Sequence, residues 1–325
     1  MHKFIKNLKV FNDLDQIFQV VNISKRTSQK GSIYYQLDLK DKSGKISAKI
    51  WSILPGIESV TENSFALVKG RVDAYKGTMQ VIISDISPAA PEEVDPEVFT
   101  ASGGKDLEAL IEELRGFLAK IENPFLVELT KLFLEDEVFI EKFKIAPAAV
   151  EIHHAYRGGL LEHTVNMMNL AERITGYYYT AGEPKEPLLN KDLLMVGVFL
   201  HDAGKIKEYE MKIMPQMMDE GKLLGHTILG IMMLEDKIKQ IENFPDQLRI
   251  VLEHLIGSHH GQREYGAPVL PMTPEAMVLH YLDNLDARMG EYLLLTQKSA
   301  NGNWTEWSKS LERRFYIAPP DGDSK

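Results

Sequence analysis

Apolar and polar positions alternate through the first quarter of the chain, and then the period changes. Val20–Ser24, Tyr34–Leu39, Ile46–Trp51, Ala66–Val72 and Met79–Ile83 are β-rich runs, several of them strictly alternating. That is the pattern of half-buried strands. Asp41-Lys42-Ser43-Gly44 reads as a tight turn between the second and third runs. Five short strands within about 70 residues predict a small all-β barrel of the OB type. The alternation also assigns faces: Tyr35, Leu37, Leu39, Ile46, Ala48, Ile50, Val68 and Val72 form the inner set. Tyr34, Lys45, Lys49, Trp51, Lys69 and Arg71 then point outward, with Tyr75 and Lys76 in the following turn.

From Ser87 the chain turns rich in proline and acidic residues, ending in Ser-Gly-Gly-Lys, and 89–105 reads as a linker. Beyond it Leu107, Leu110, Ile111, Leu114 and Leu118 recur at helical spacing. Further helices are predicted near 124–143, 160–175, 190–203, 225–241, 245–258 and 274–296, with no strand pattern of comparable strength. Residues 193–200, LLMVGVFL, are apolar all round and predict a buried helix. The expected protein is multi-domain: a barrel over 1–88, a linker over 89–105, an all-α helical bundle over 106–318 and a disordered tail over 319–325.

Composition narrows the chemistry. The 325 residues are long for one compact domain. There is no cysteine, which excludes a disulfide framework, a thiolate metal site and a cysteine nucleophile. Any metal must therefore rest on histidine and carboxylate. The net charge of −10 argues against a nucleic-acid partner until it is divided: residues 1–90 carry 13 Lys+Arg against 8 Asp+Glu, so a basic head sits before an acidic body. The N-terminal MHKFIKNLKVF lacks an apolar signal core, and no apolar stretch approaches the roughly 20 residues that span a bilayer. The expectation is a cytoplasmic protein with no membrane partner.

Nine of the ten histidines fall between His153 and His280. The informative ones stand in Gly158-Gly159-Leu160-Leu161-Glu162-His163-Thr164, His201-Asp202-Ala203-Gly204-Lys205, Gly225-His226-Thr227, Ser258-His259-His260-Gly261 and, with their carboxylate, Asp283-Asn284-Leu285-Asp286. His201-Asp202 closes the buried run. An ionised aspartate there costs several kcal/mol unless a cation compensates it. Lys205, four residues after His201, is expected on the same helix face, where it can meet a substrate phosphate. A lone His-Asp pair is commonplace, but the order H…HD-x-x-K…H…HH…D is specific, and it resembles the HD superfamily of phosphohydrolases. An OB-like domain followed by HH-x-x-x-GGLLEHT and HDAGK resembles the bacterial YhaM-type 3′–5′ exoribonucleases, across essentially the whole chain.

By that resemblance His163, His201, Asp202 and Asp283 correspond to the metal ligands. His226, His259 and His260 match the histidines that hold a second ion, and Asp202 bridges the two. Asp202 and Lys205 are then the catalytic pair. Seven ligand positions exceed the needs of one ion with open sites, which supports two ions independently. Imidazole and carboxylate donors suit Mn²⁺, Fe²⁺, Co²⁺, Ni²⁺ or Zn²⁺ better than Mg²⁺, and Mn²⁺ is placed first. Two such ions activate water and polarise a phosphoryl oxygen. The general acid stays unassigned.

The outward Tyr34, Lys49, Trp51, Lys69 and Arg71 read as stacking platforms amid positive charge for single-stranded RNA, with DNA as a second polymer. Arg157 is a candidate phosphate clamp. The competing reading of these aromatics is a contact with a neighbouring domain or subunit, which leaves room for a homo-oligomer. Asp286 and His280 read as residues that orient the ligands or as ordinary surface, His254 equally as core or surface, and His153 and His154 as pocket lining or structure. Two other functions compete. One is an HD phosphohydrolase acting on a small nucleotide, with the barrel serving oligomerisation or regulation. The other is a nucleic-acid binder with a dead HD domain, disfavoured because every ligand position is filled.

Overall fold

The alternating runs of the first part form β1 (Asp13–Thr27), β2 (Ile33–Asp41), β3 (Gly44–Ile50), β4 (Ser64–Tyr75) and β5 (Thr78–Pro88). The structure is a computed structural model and describes residues 2–27, 31–99, 105–149, 156–181, 183–211, 215–298 and 302–317. It divides into two units, Met1–Ala101 and Ser102–Lys325.

In the first unit the strands close into a barrel in the order β1-β2-β3-β5-β4. All neighbours are antiparallel except β3 and β5. β1 serves two partners, pairing β4 from Asp13 to Val20 and β2 from Gln19 to Thr27, with a bulge between Val20 and Asn22 where it turns from one to the other. The inner set is as the alternation assigns it: Leu37, Leu39, Ile46, Ala48, Ile50, Val68 and Val72 are buried with Phe18 and Val20, and Tyr35 packs against them.

Asp41 is a buried charge with four donors. It accepts from the amides of Ile5 and Ser43 at 2.8 and 2.7 Å, the Ser43 hydroxyl at 2.6 Å and His2 Nε2 at 3.2 Å. Burial works against its ionisation, but these bonds outweigh burial and hold its carboxyl below the usual aspartate range.

The stretch expected as a free linker begins by packing on the barrel. The Ala89 amide donates to the Phe65 carbonyl and the Lys42 amide to the Val98 carbonyl. Val94 and Phe99 are buried, and Phe99, the last residue of α1 (Pro96–Phe99), lies edge-on to Phe65 at 4.8 Å. The proline-rich, acidic composition hid two apolar anchors. Residues 100–104, and the tail from 318, lie outside the described residues.

The second unit is helical: α2 (Leu107–Leu118), α3 (Pro124–Leu134), α4 (Glu137–Ile145), α5 (Gly159–Ile174), α6 (Lys191–Leu200), α7 (Lys205–Glu208), α8 (Asp219–Ile238), α9 (Asp246–Ser258) and α10 (Pro274–Lys298). The single helix expected over 124–143 is two. Asp136 caps α4 by accepting from the Phe139 amide at 3.0 Å, a geometry in which the chain cannot remain helical. The two helices fold back so that Phe133, Phe139, Phe143 and Phe199 form one aromatic core. α6 is buried from Leu193 to Leu200, as its apolar run requires. A short ribbon, β6 (Tyr209–Met211) with β7 (Pro215–Met217), was not legible in the hydrophobic pattern. No helix among the described residues is long and apolar enough to cross a membrane.

Candidate metal centre

Two helix C-termini, one helix break and the first turns of α5 deliver the histidines. His201 and His259 follow the last turns of α6 and α9, where carbonyls lack intrahelical partners. Each ring uses one of these: His201 Nδ1 lies 2.9 Å from the Val198 carbonyl, and His259 Nδ1 lies 2.7 Å from that of Ile256. Carboxylates hold two more. Asp286 Oδ2 is 2.7 Å from His163 Nδ1, and Glu208 Oε2 is 3.1 Å from His226 Nδ1. An acceptor opposite each Nδ1 keeps a proton there, so the four Nε2 atoms are the ones turned inward, where a cation could take them.

They meet around Asp202, whose side chain is buried. Its Oδ2 lies 3.3 Å from His201 Nε2 and 4.0 Å from His163 Nε2. Its Oδ1 lies 3.4 Å from His226 Nε2 and 3.6 Å from His259 Nε2. His260 Nε2 is 3.2 Å from His226 Nε2, and Asp283 Oδ1 is 3.3 Å from His163 Nε2. Two donor groups result, His163, His201 and Asp202 on one side and His226, His259 and His260 on the other, each with ligand atoms within 4.8 Å of one another.

These residues fit divalent cations on the state of their own atoms. His201 Nε2, Asp202 Oδ1 and His259 Nε2 are buried and make no hydrogen bond. One such atom costs about 1–3 kcal/mol; three gathered at one place suit a divalent cation. Burial and the neighbouring imidazoles lower the pKa values of His259 and His260, which keeps both in the neutral, ligating form. Burial also opposes charge on His163, but Asp283 and Asp286 outweigh it and push its pKa up to about 10. Burial opposes ionisation of Asp202 too, and the Lys205 ammonium leads the contacts that overcome it, holding the carboxyl well below the usual range.

Lys205 reaches this centre by a different route from the one its spacing implies. α6 ends at Leu200, residues 201–204 form a turn, and Lys205 opens α7. Its Nζ lies 2.6 Å from Asp202 Oδ2 and also bonds the Ala148 carbonyl. The turn works because residue 204 is glycine: a Cβ there would lie 1.9 Å from the His226 carbonyl oxygen and 2.6 Å from the Gly230 nitrogen. α8 is broken at Gly225 (φ 71°, ψ 157°), a backbone state open to glycine, and His226 begins its second half.

Some functional residues escaped the sequence. Glu208 holds both the ring and the amide of His226, the amide at 3.3 Å; its only signal is an acidic residue three places after Lys205. Glu162, next to His163, accepts from the Tyr156 hydroxyl at 2.6 Å and pairs with Lys105 at 3.1 Å. His280 faces the His259 carbonyl at 2.8 Å and so supports the His259–His260 turn rather than Asp283. His254 accepts from the Met272 amide at 2.9 Å. Arg157 is exposed just before α5, and His153 and His154 lie outside the described residues. Asp286→Asn is expected to weaken Mn²⁺ binding about 10- to 100-fold, read by calorimetric titration; unchanged affinity would remove Asp286 from any part in orienting His163.

The barrel carries a separate cluster. The rings of Tyr34 and Trp51 lie 5.2 Å apart at 32°, and Lys49 Nζ stands 5.3 Å from the Trp51 ring and 5.2 Å from that of Tyr75. Trp51 and Tyr75 are each more than half exposed. Lys69 and Arg71 face outward but are matched by carboxylates across the β1–β4 ladder: Arg71 bonds Asp13 at 2.7 Å and Lys69 lies 3.9 Å from Asp15.

Residues 160–288 match the HD domain family. The chain is 33% identical over 321 residues to the 3′-5′ exoribonuclease YhaM of Geobacillus sp. (strain WCH70), covering 98% of this chain and 96% of that protein. It is 31% identical to the protein of the same name from Bacillus subtilis (strain 168), over 98% and 99% of the two chains. Among solved structures, the second OB-fold domain of replication protein A from Methanococcus maripaludis is similar at 22% identity, over 27% of this chain and 94% of that one, with a TM-score of 0.23.

Proposed function

This chain belongs to the family of YhaM 3′-5′ exoribonucleases, and from that membership we propose that it shortens single-stranded RNA from the 3′ end, releasing nucleoside 5′-monophosphates. One observation carries the reading. Seven histidines and aspartates dispersed from His163 to Asp283 converge around Asp202 in a chain that matches exoribonucleases along nearly its whole length. Single-stranded DNA is the second polymer to test.

His163, His201, Asp202 and Asp283 would hold one divalent ion, and Asp202, His226, His259 and His260 a second, with Mn²⁺ the first metal to try. When bound, such ions activate water and polarise the phosphodiester, and they offset charge as the sugar oxygen departs. Asp202 presents one oxygen to each donor group. Glu208 and Asp286 keep two imidazoles in the tautomer that faces the centre. The Lys205 ammonium, held by Asp202 and the Ala148 carbonyl, is placed to contact a phosphoryl oxygen. The cleft over these residues has a volume of about 390 Å³, within the ~300–1,000 Å³ typical of small-molecule sites. Tyr34, Lys49, Trp51 and Tyr75 supply stacking faces beside positive charge on the barrel. Lys69 and Arg71 would contact phosphates after exchanging their Asp15 and Asp13 partners.

Time-resolved digestion of a 5′-labelled single-stranded RNA tests the proposal. A ladder descending from full length with Mn²⁺, abolished by chelator, is the expected result. RNA left intact with Mn²⁺, while mononucleotides turn over, would favour the small-nucleotide phosphohydrolase instead.

A further inference from the structure

We propose that Tyr265 is the stacking platform for the base of the nucleotide being removed, and so a specificity residue for a nucleic-acid 3′ end; the inference rests on the exonuclease reading above. Tyr265 lines the cleft that contains Asp202, Lys205, His226, His260 and Asp283, and it is 54% exposed. A lone exposed tyrosine on an open surface would carry no meaning. This one sits on a fixed turn beside a ligand imidazole. Its amide donates to the Gln262 carbonyl at 3.1 Å, the Gly266 amide to Arg263 at 2.9 Å, and the Ala267 amide to Gln262 at 3.2 Å. A Cβ at residue 266 would lie 3.6 Å from His260 Nδ1, so the turn that bears Tyr265 packs against that ring.

The other rings at the cleft are engaged. Tyr209 is half-buried and interacts with Glu208. His280 faces the His259 carbonyl. Among the described residues lining the cleft, Tyr265 is the most exposed aromatic. The chemistry asks for a ring on the wall of this cleft. When the terminal phosphodiester lies at the metal ligands, the base of the departing nucleotide lies one sugar away. Stacking accepts every base, because each has a π face. It therefore suits an enzyme that removes successive nucleotides of any identity, where hydrogen bonds to base edges would impose a sequence.

The test uses the full chain and two 5′-labelled RNAs, identical except that one ends in an abasic ribose. With Mn²⁺, Tyr265→Ala is expected to lower kcat/KM on the ordinary RNA about 10- to 100-fold, while Tyr265→Phe, which keeps the ring, stays within about threefold of wild type. On the abasic RNA the gap between wild type and Tyr265→Ala is expected to close to about threefold. In chelator, where no turnover occurs, a 3′-terminal 2-aminopurine should be quenched by wild type and Tyr265→Phe and at least about twofold less by Tyr265→Ala. An equal loss on both RNAs would make Tyr265 a support for His260 and overturn the inference. No loss on either would overturn it while leaving the exonuclease reading intact. If wild type shortens neither RNA, the exonuclease reading itself falls.

Discussion

Asp202→Ala is expected to lower RNA turnover at least about 10³-fold, equivalent to ~4 kcal/mol of barrier, and to reduce bound Mn²⁺ from about two ions per chain to one or none. The residue faces both donor groups, so its loss cannot be confined to one ion. It also leaves the half-buried Lys205 with a main-chain carbonyl as its remaining partner here. Half of a buried pair is costly to strand, by about 3–5 kcal/mol, so the alanine protein should also melt earlier. Asp202→Asn, nearly the same shape, separates the effects. It should keep more of the melting temperature and still lose the metal and the turnover. Elemental analysis with the RNA assay reads both, and an Asp202→Asn protein that keeps two ions and near-normal turnover would dismiss the assignment.

Gly204→Ala is expected to be nearly as damaging, for a reason unconnected with ligation. The added methyl would meet backbone at 1.9 and 2.6 Å, with no side chain able to move aside. α7 must then retreat from α8, at a cost of about 1–3 kcal/mol or more. Lys205 opens α7 and His226 lies at the point of contact, so both should shift, and displacement of about 1 Å can reduce turnover ~10²-fold. Gly230, across the same contact, is the internal control. A Cβ there makes ordinary contacts of 3.4 Å and beyond, so Gly230→Ala should melt close to wild type. Similar melting temperatures and turnover for the two variants would refute the close-approach argument.

The residues gathered around Asp202 are readable from sequence because each is a histidine or aspartate in a short recognisable setting, and the motif order arranges them without reference to geometry. Of their supports, Asp286 alone is offered by the sequence. Two of the four Nδ1 partners are main-chain carbonyls of Val198 and Ile256, which no residue type announces. A third, Glu208, becomes visible only once α7 is known to turn back on α8. On the barrel, the strand alternation placed Lys69 and Arg71 outward correctly. The first strand, however, was read from Val20 when it starts at Asp13. Asp13 and Asp15 were therefore never set opposite those cations. Helix boundaries failed where one polar side chain decides them, as Asp136 does between α3 and α4.

The break in α8 has a consequence of its own. Had the helix run on through Gly225, the His226 amide would have been donated to the carbonyl of Lys222. Released from that duty, it points to Glu208, whose other oxygen takes the imidazole N–H. A single carboxylate thus grips the residue at two points, trunk and ring, which restrains both the position and the rotation of the imidazole. The irregularity in the helix is what frees the amide for that second hold.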